Sequence, residues 1–123
     1  MTTALVVEDS ITDKAILTDY LQRSGISVTS ATSSEEALKM IESNHPDLLF
    51  LDVVLPGQSG FEFCHSLKNN DKTRDILVVI CSNKDTQADK LWGSMLGADA
   101  YLAKPITQQQ LTQTVDQLTN AVS

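Results

Sequence analysis

Five short apolar runs recur along the chain, separated by polar stretches whose apolar residues return at three- and four-residue spacing. Ala4-Leu5-Val6-Val7, Leu48-Leu49-Phe50-Leu51 and Ile76-Leu77-Val78-Val79-Ile80-Cys81 are unbroken, as strands covered on both faces of a parallel sheet are. Ile26-Ser27-Val28-Thr29-Ser30 alternates instead and predicts a half-exposed edge strand. Ala100-Tyr101-Leu102-Ala103 is a short fifth strand.

Helices are predicted between them. Ser10 with Asp13 has the spacing of an N-terminal cap, with Asp13 near the positive helix end. The helix that follows is expected to bury Ile16, Leu17, Tyr20 and Leu21 and to stop at Gly25. Ser33-Ser34-Glu35-Glu36 opens a second helix carrying Ala37, Leu38 and Ile41, and Pro46 ends that segment. A third, roughly 61–68, places Phe61, Cys64 and Leu67 on one face, and a polar loop follows over 69–75. A fourth covers 86–96, weakened by Gly93 and closed by Gly97. A capping box of Thr107 and Gln110 starts the last, whose apolar stripe is Leu111, Val115, Leu118 and Val122. Strand and helix alternate five times, which implies an α/β fold with a parallel sheet and helices on both faces.

The chemistry collects at one edge. Leu48–Leu51 runs directly into Asp52, and a buried strand has no use for a terminal acid unless that end opens into a site. Pro56, Gly57 and Gly60 turn the chain just beyond it. Glu8 and Asp9 follow the first strand, Ser82 the fourth, and Lys104-Pro105 the fifth. Open parallel sheets bind ligands beyond the carboxyl ends of their strands, and five polar residues are placed there independently. Crowded carboxylates repel, and a hard divalent cation with oxygen ligands, Mg²⁺ above all, would neutralise them. Asp52 could then attack phosphorus in line, with Lys104 and Ser82 holding phosphoryl oxygens.

Composition narrows the classes. The 123 residues suit one domain, and 41% hydrophobic and 20% charged residues are ordinary for a globular chain. A net charge of −7 argues against nucleic acid and anionic membranes as partners. No run is long enough to span a bilayer, and Met1-Thr2-Thr3-Ala4 lacks signal-peptide character, so the expected compartment is the cytoplasm. Cys64 and Cys81 lie inside predicted elements without metal-ligand spacing, and are expected to be small buried apolar groups.

The acidic pair Glu8-Asp9, Asp52 with Pro56 and Gly60, Ser82, and Lys104-Pro105 together resemble a CheY-type response-regulator receiver domain over essentially the whole chain, 1–123. The resemblance implies a flavodoxin-like five-stranded sheet of order 2-1-3-4-5. CheY itself is the standing example of that order, so it comes from the resemblance and not from the pattern. It further implies that Asp52 is the phosphoacceptor, and that Asp9, Asp52 and the Val54 carbonyl ligate Mg²⁺, with Glu8 acting through water. Lys104 would pair with the phosphoryl group, its bond to Pro105 being cis, and Ser82 and Tyr101 would form the switch pair. A narrower resemblance runs through Val79 to Lys84, Trp92-Gly93 and Gly97 to Pro105, toward single-domain receivers of pilus-based motility and phototaxis (the PilH type).

Two positions depart from the usual receiver pattern. Asn83 replaces a small residue and would narrow access to the phosphoryl group. Val54 cannot orient an attacking water, which implies slow loss of phosphate.

The function expected is therefore signalling. A histidine kinase phosphorylates Asp52, and the face of the fourth helix, fifth strand and fifth helix, around Trp92, Tyr101 and Leu111, contacts an unknown downstream protein. The chain would be a monomer or transient dimer, catalysing only its own dephosphorylation. No output domain is expected after the fifth helix, so a phosphate sink or relay is the alternative, as is a degenerate receiver that works without phosphate. An aspartate-nucleophile phosphatase would want a second acid where Val54 stands, and a flavin binder would not place Glu8-Asp9-Ser10 in its phosphate loop. Simpler roles compete for single residues: helix-end acids for Glu8 and Asp9, a turn for Ser82, a packing anchor for Trp92, and solvated surface for His45, His65 and Gln108-Gln109-Gln110.

Overall fold

In a computed structural model describing residues 2–84 and 86–121, the apolar runs pair into one sheet. The strands are β1 (Thr3–Val7), β2 (Ser27–Ala31), β3 (Leu48–Leu51), β4 (Leu77–Ser82) and β5 (Ala100–Ala103). They are parallel throughout, in the order β2-β1-β3-β4-β5. The helices between them are α1 (Ile11–Arg23), α2 (Ser34–Ser43), α3 (Gly60–Lys68), α4 (Gln87–Met95) and α5 (Gln108–Ala121). This is the doubly wound arrangement expected.

Residue parity sorts the core. Leu5, Val7, Leu49, Leu51, Val78 and Ile80 face one way and pack against Ala37 and Ile41 of α2 and Phe63, Cys64 and Leu67 of α3. Their neighbours Ala4, Val6, Leu48, Phe50, Val79 and Cys81 face the other way, onto Leu17 and Leu21 of α1 and Leu111 and Val115 of α5. Because successive strand side chains alternate faces, an unbroken apolar run must be covered twice. β2 lies at the edge, and its Ser27 and Thr29 are exposed, as its alternation predicts, as is Ser30 at its carboxyl end.

Several packing expectations are corrected. Ile16 and Leu38 are 40% and 42% exposed: each lies about 100° around its helix from a better-placed residue, Leu17 and Ala37, and falls at the margin of the buried face. Phe63, at 2%, is the buried aromatic of α3, whereas Phe61 only packs against the rim of the core. Trp92 is no anchor; it is 50% exposed beside Leu91 and Met95, at 63% and 68%. Gln108 is not a solvated residue either, since its amide donates to the Tyr20 carbonyl at 2.9 Å and ties α5 to α1. Gly93, rather than weakening α4, gives it room: a Cβ there would stand 3.1 Å from the Tyr101 ring and 3.2 Å from Ile80. Both arms of the Thr107–Gln110 box are made, at 3.1 Å each. A second box, Thr86 with Asp89, starts α4. Val122 lies outside the described residues.

Candidate functional site

The sheet fixes the polar edge through backbone bonds that continue past the strands. The Glu8 N–H donates to the Ala31 carbonyl at 3.0 Å, the Asp52 N–H to the Val7 carbonyl at 3.0 Å, and the Lys104 N–H to the Ser82 carbonyl at 2.9 Å. Acid, acid and lysine are thus carried on the carboxyl ends of β1, β3 and β5, with Ser82 the last residue of β4. The turn after Asp52 is equally constrained. Gly57 has φ +75, which favours glycine. At Gly60 a Cβ would fall 1.9 Å from the Asp52 carbonyl oxygen, so only hydrogen fits. The Lys104–Pro105 peptide is cis.

Lys104 is the hub. Its Nζ donates to Glu8 Oε2 at 2.6 Å and Asp13 Oδ2 at 2.9 Å, and stands 3.7 Å from Asp52 Oδ1. The side chains of Lys104, Glu8 and Asp52 are 9%, 2% and 12% exposed, so these charges meet largely out of water. Glu8 Oε1 accepts the Ser10 N–H at 3.1 Å, and Asp52 Oδ1 accepts the Val53 N–H at 2.8 Å.

Burial pushes the Glu8 carboxyl above its ordinary value, and the charge of Asp52 adds to this, against the pull of Lys104 and Ser10. For Lys104 burial acts downward, but the hydrogen bonds to Glu8 and Asp13 and the charge of Asp52 outweigh it, and its pKa is raised. The ammonium is therefore firmly protonated. Cys81, fully buried beneath this edge, has its thiol pushed far up by desolvation and does no chemistry here.

Ser82 and Tyr101 meet at one peptide. Ser82, 1% exposed, accepts the Lys84 N–H on Oγ at 3.1 Å, while the Tyr101 hydroxyl donates to the Lys84 carbonyl. Asp9 is exposed and stands apart from this network. Val54 is 64% exposed, and Asn83 is exposed at the mouth of the β4–α4 connection. Among the described residues no three His, Cys, Asp or Glu side chains cluster tightly enough to hold a metal by themselves. His45 and His65 lie exposed and away from this edge, His45 against Asp75 at 3.1 Å.

The sequence reading missed Asp13 as a member of the site. It was recognised only as a helix-end acid, because nothing along the chain links it to a lysine 91 positions later.

A parallel 2-1-3-4-5 sheet, with acids, a buried hydroxyl and a lysine on its carboxyl edge, defines a CheY-like doubly wound receiver. The sequence matches the response regulator receiver domain over residues 4–116, and the chain belongs to that family. It is 34% identical to Protein PilH of Pseudomonas aeruginosa, over 94% of this chain and 96% of that protein. It is 33% identical to Protein PilG of the same organism, over 87% and 79%. The chemotaxis protein CheY4 of Vibrio cholerae superposes with a TM-score of 0.88 at 26% identity, covering 95% of this chain and 98% of that one. As a receiver domain the protein is a signalling module of two-component systems and not an enzyme that turns over a separate substrate. No helix among the described residues is long and apolar enough to cross a membrane.

Proposed function

We propose that Asp52 accepts a phosphoryl group from a histidine kinase and that the modified protein signals through contact with another protein. The observation that carries this is the Lys104 ammonium, 9% exposed and 3.7 Å from the Asp52 carboxylate, at the carboxyl edge of the sheet. In the transfer, an Asp52 oxygen attacks phosphorus. The phosphorus–nitrogen bond of the kinase phosphohistidine breaks, and its electron pair leaves with the imidazole. The Val53 N–H engages Oδ1 of Asp52 and orients the carboxylate. Lys104 donates to one phosphoryl oxygen and the Ser82 hydroxyl to another, stabilising charge that spreads over them as the bond forms.

The donor set fits a hard cation. Asp9 and Asp52 offer carboxylates, Val54 a backbone carbonyl, and Glu8 a contact through water. Glu8, Asp13 and Asp52 surround the single Lys104 ammonium, which leaves an excess of carboxylates at this edge. Mg²⁺ bound there would supply charge neutralisation on the phosphoryl oxygens.

Output falls to the face of α4, β5 and α5. Leu91, Trp92 and Met95 are exposed there, and Tyr101 links Lys84 at the site to the underside of α4. Population shift between two arrangements of this face would carry the signal. The similarity to PilH and PilG favours pilus-based motility or phototaxis as the setting, and we place the protein in the cytoplasm as a monomer or transient dimer.

Intact mass after incubation with acetyl phosphate tests the reading. One phosphoryl group is expected with Mg²⁺, none without it, and none in Asp52→Asn. Equal phosphorylation of Asp52→Asn would overturn it.

A further inference from the structure

Lys104 has three N–H donors, and two are already committed. They go to Glu8 at 2.6 Å and Asp13 at 2.9 Å, whereas the nearest Asp52 oxygen, at 3.7 Å, is beyond hydrogen-bond reach. The two acids that hold the ammonium are not equivalent. Glu8 is 1% exposed and its second oxygen is fixed by the Ser10 N–H. Releasing Lys104 would strand a buried carboxylate there, which is costly. Asp13 sits in the first turn of α1, and its side chain is 36% exposed. Water can replace the lysine on that carboxylate at little cost.

Asp13 could have been a helix-end acid only, and its own N–H does bond Ser10 Oγ at 3.3 Å. A carboxylate in that turn is stabilised by the helix end whether or not it touches a lysine. Its side chain nevertheless engages Lys104, from an element 91 residues away.

We propose that Asp13 is a positioning residue that holds Lys104 off Asp52 and so weakens capture of a phosphoryl group there. The inference rests on the reading of Asp52 as phosphoacceptor. A phosphoryl group adds negative charge beside Asp52 and recruits the ammonium. Its third N–H is uncommitted, but the ammonium must move toward Asp52 to use it, and because Glu8 holds it the contact with Asp13 is the one that lengthens. The interaction lost with Asp13 subtracts from what the phosphoryl group gains. Asp13 thereby acts as a brake, setting how readily the modified state forms.

The test is a calorimetric titration of the full chain, in saturating Mg²⁺, with beryllofluoride, which mimics a phosphoryl group on a carboxylate. Wild type should bind, and Asp52→Asn should not. Asp13→Asn, nearly the same shape without the charge, should bind about threefold to tenfold tighter, the range expected for losing one partly exposed charge-assisted bond. Asp13→Glu, which keeps a carboxylate within reach of the lysine, should stay near wild type. In a Lys104→Met background, titrated to millimolar beryllofluoride, Asp13→Asn should change nothing further. Thermal melting of each variant identifies any that are unfolded.

Binding by wild type with an Asp13→Asn affinity equal to it or weaker would overturn this inference alone. A gain that persists without Lys104 would also overturn it, because Asp13 would then act by repelling the anion directly. Absence of binding by folded wild type would count against the phosphoacceptor reading as well.

Discussion

Replacing Lys104 with methionine keeps most of the side-chain volume and removes the charge that Glu8 is buried against. Glu8 and Lys104 are 2% and 9% exposed and 2.6 Å apart, so little water is present to take the lysine's place. Breaking such a pair from one side costs roughly 3–5 kcal/mol. The contact to Asp13 adds little, because that carboxylate is 36% exposed and solvent screens it. The stranded Glu8 has one escape, which is to take up a proton. Its carboxyl already lies above its ordinary 4.5, and loss of Lys104 raises it further. The native state then binds more protons than the unfolded chain across that interval, so the variant gains stability as pH falls toward the unfolded value. Urea unfolding should therefore show a deficit of about 3–4 kcal/mol near pH 8 that is smaller near pH 5.5. Glu8→Gln in the same background should recover most of the loss at the higher pH. An equal deficit at both pH values, or no recovery by Glu8→Gln, would refute the reasoning.

Other positions give sharp expectations. Gly60→Ala drives a Cβ to 1.9 Å from the Asp52 carbonyl oxygen and should lower the unfolding free energy by at least about 3 kcal/mol; Gly25→Ala, strained at φ +80 but open around the Cβ, should cost only about 1 kcal/mol in the same assay. Lys68 donates to the Ile76 carbonyl at 2.6 Å and to Asp99 at 2.8 Å, so Lys68→Met should cost about 2 kcal/mol in urea unfolding. Burial pushes the Cys64 thiol up to about 11, and iodoacetamide near pH 8 should label it only after urea unfolds the chain, as mass spectrometry would show. Val54 is exposed and carries no group to orient water, so Val54→Asn should speed loss of the phosphoryl group about tenfold or less, followed by intact mass.

The strands were legible because a two-sided apolar requirement leaves little choice of residue. Leu48 to Leu51 had to be central, and Ser27, Thr29 and Ser30 had to be an edge. The capping residues Ser10 and Thr107 were equally plain, since each satisfies its helix locally. What failed involved choices that only packing makes. Of the adjacent apolar residues Ile16 and Leu17 only Leu17 is buried, and the sequence does not say which of the two it will be. Phe63 was hidden in the same way by Phe61. The composition of the edge was readable residue by residue, but its connections were not. Lys104 stands 3.7 Å from Asp52, but its hydrogen bonds go to Glu8 and Asp13, which no spacing along the chain reveals. Asp13 and Lys104 are brought together only when β1 and β5, both followed by site residues, lie in one sheet.

The central claim is that this edge makes one particular carboxylate a phosphoacceptor, and borohydride trapping tests it most directly. Borohydride reduces an aspartyl phosphate to homoserine, and peptide mapping then reports which residue carried the group. After acetyl phosphate and Mg²⁺, homoserine should appear at position 52 alone. Homoserine at Asp9 or Asp13 with Asp52 intact would contradict the account.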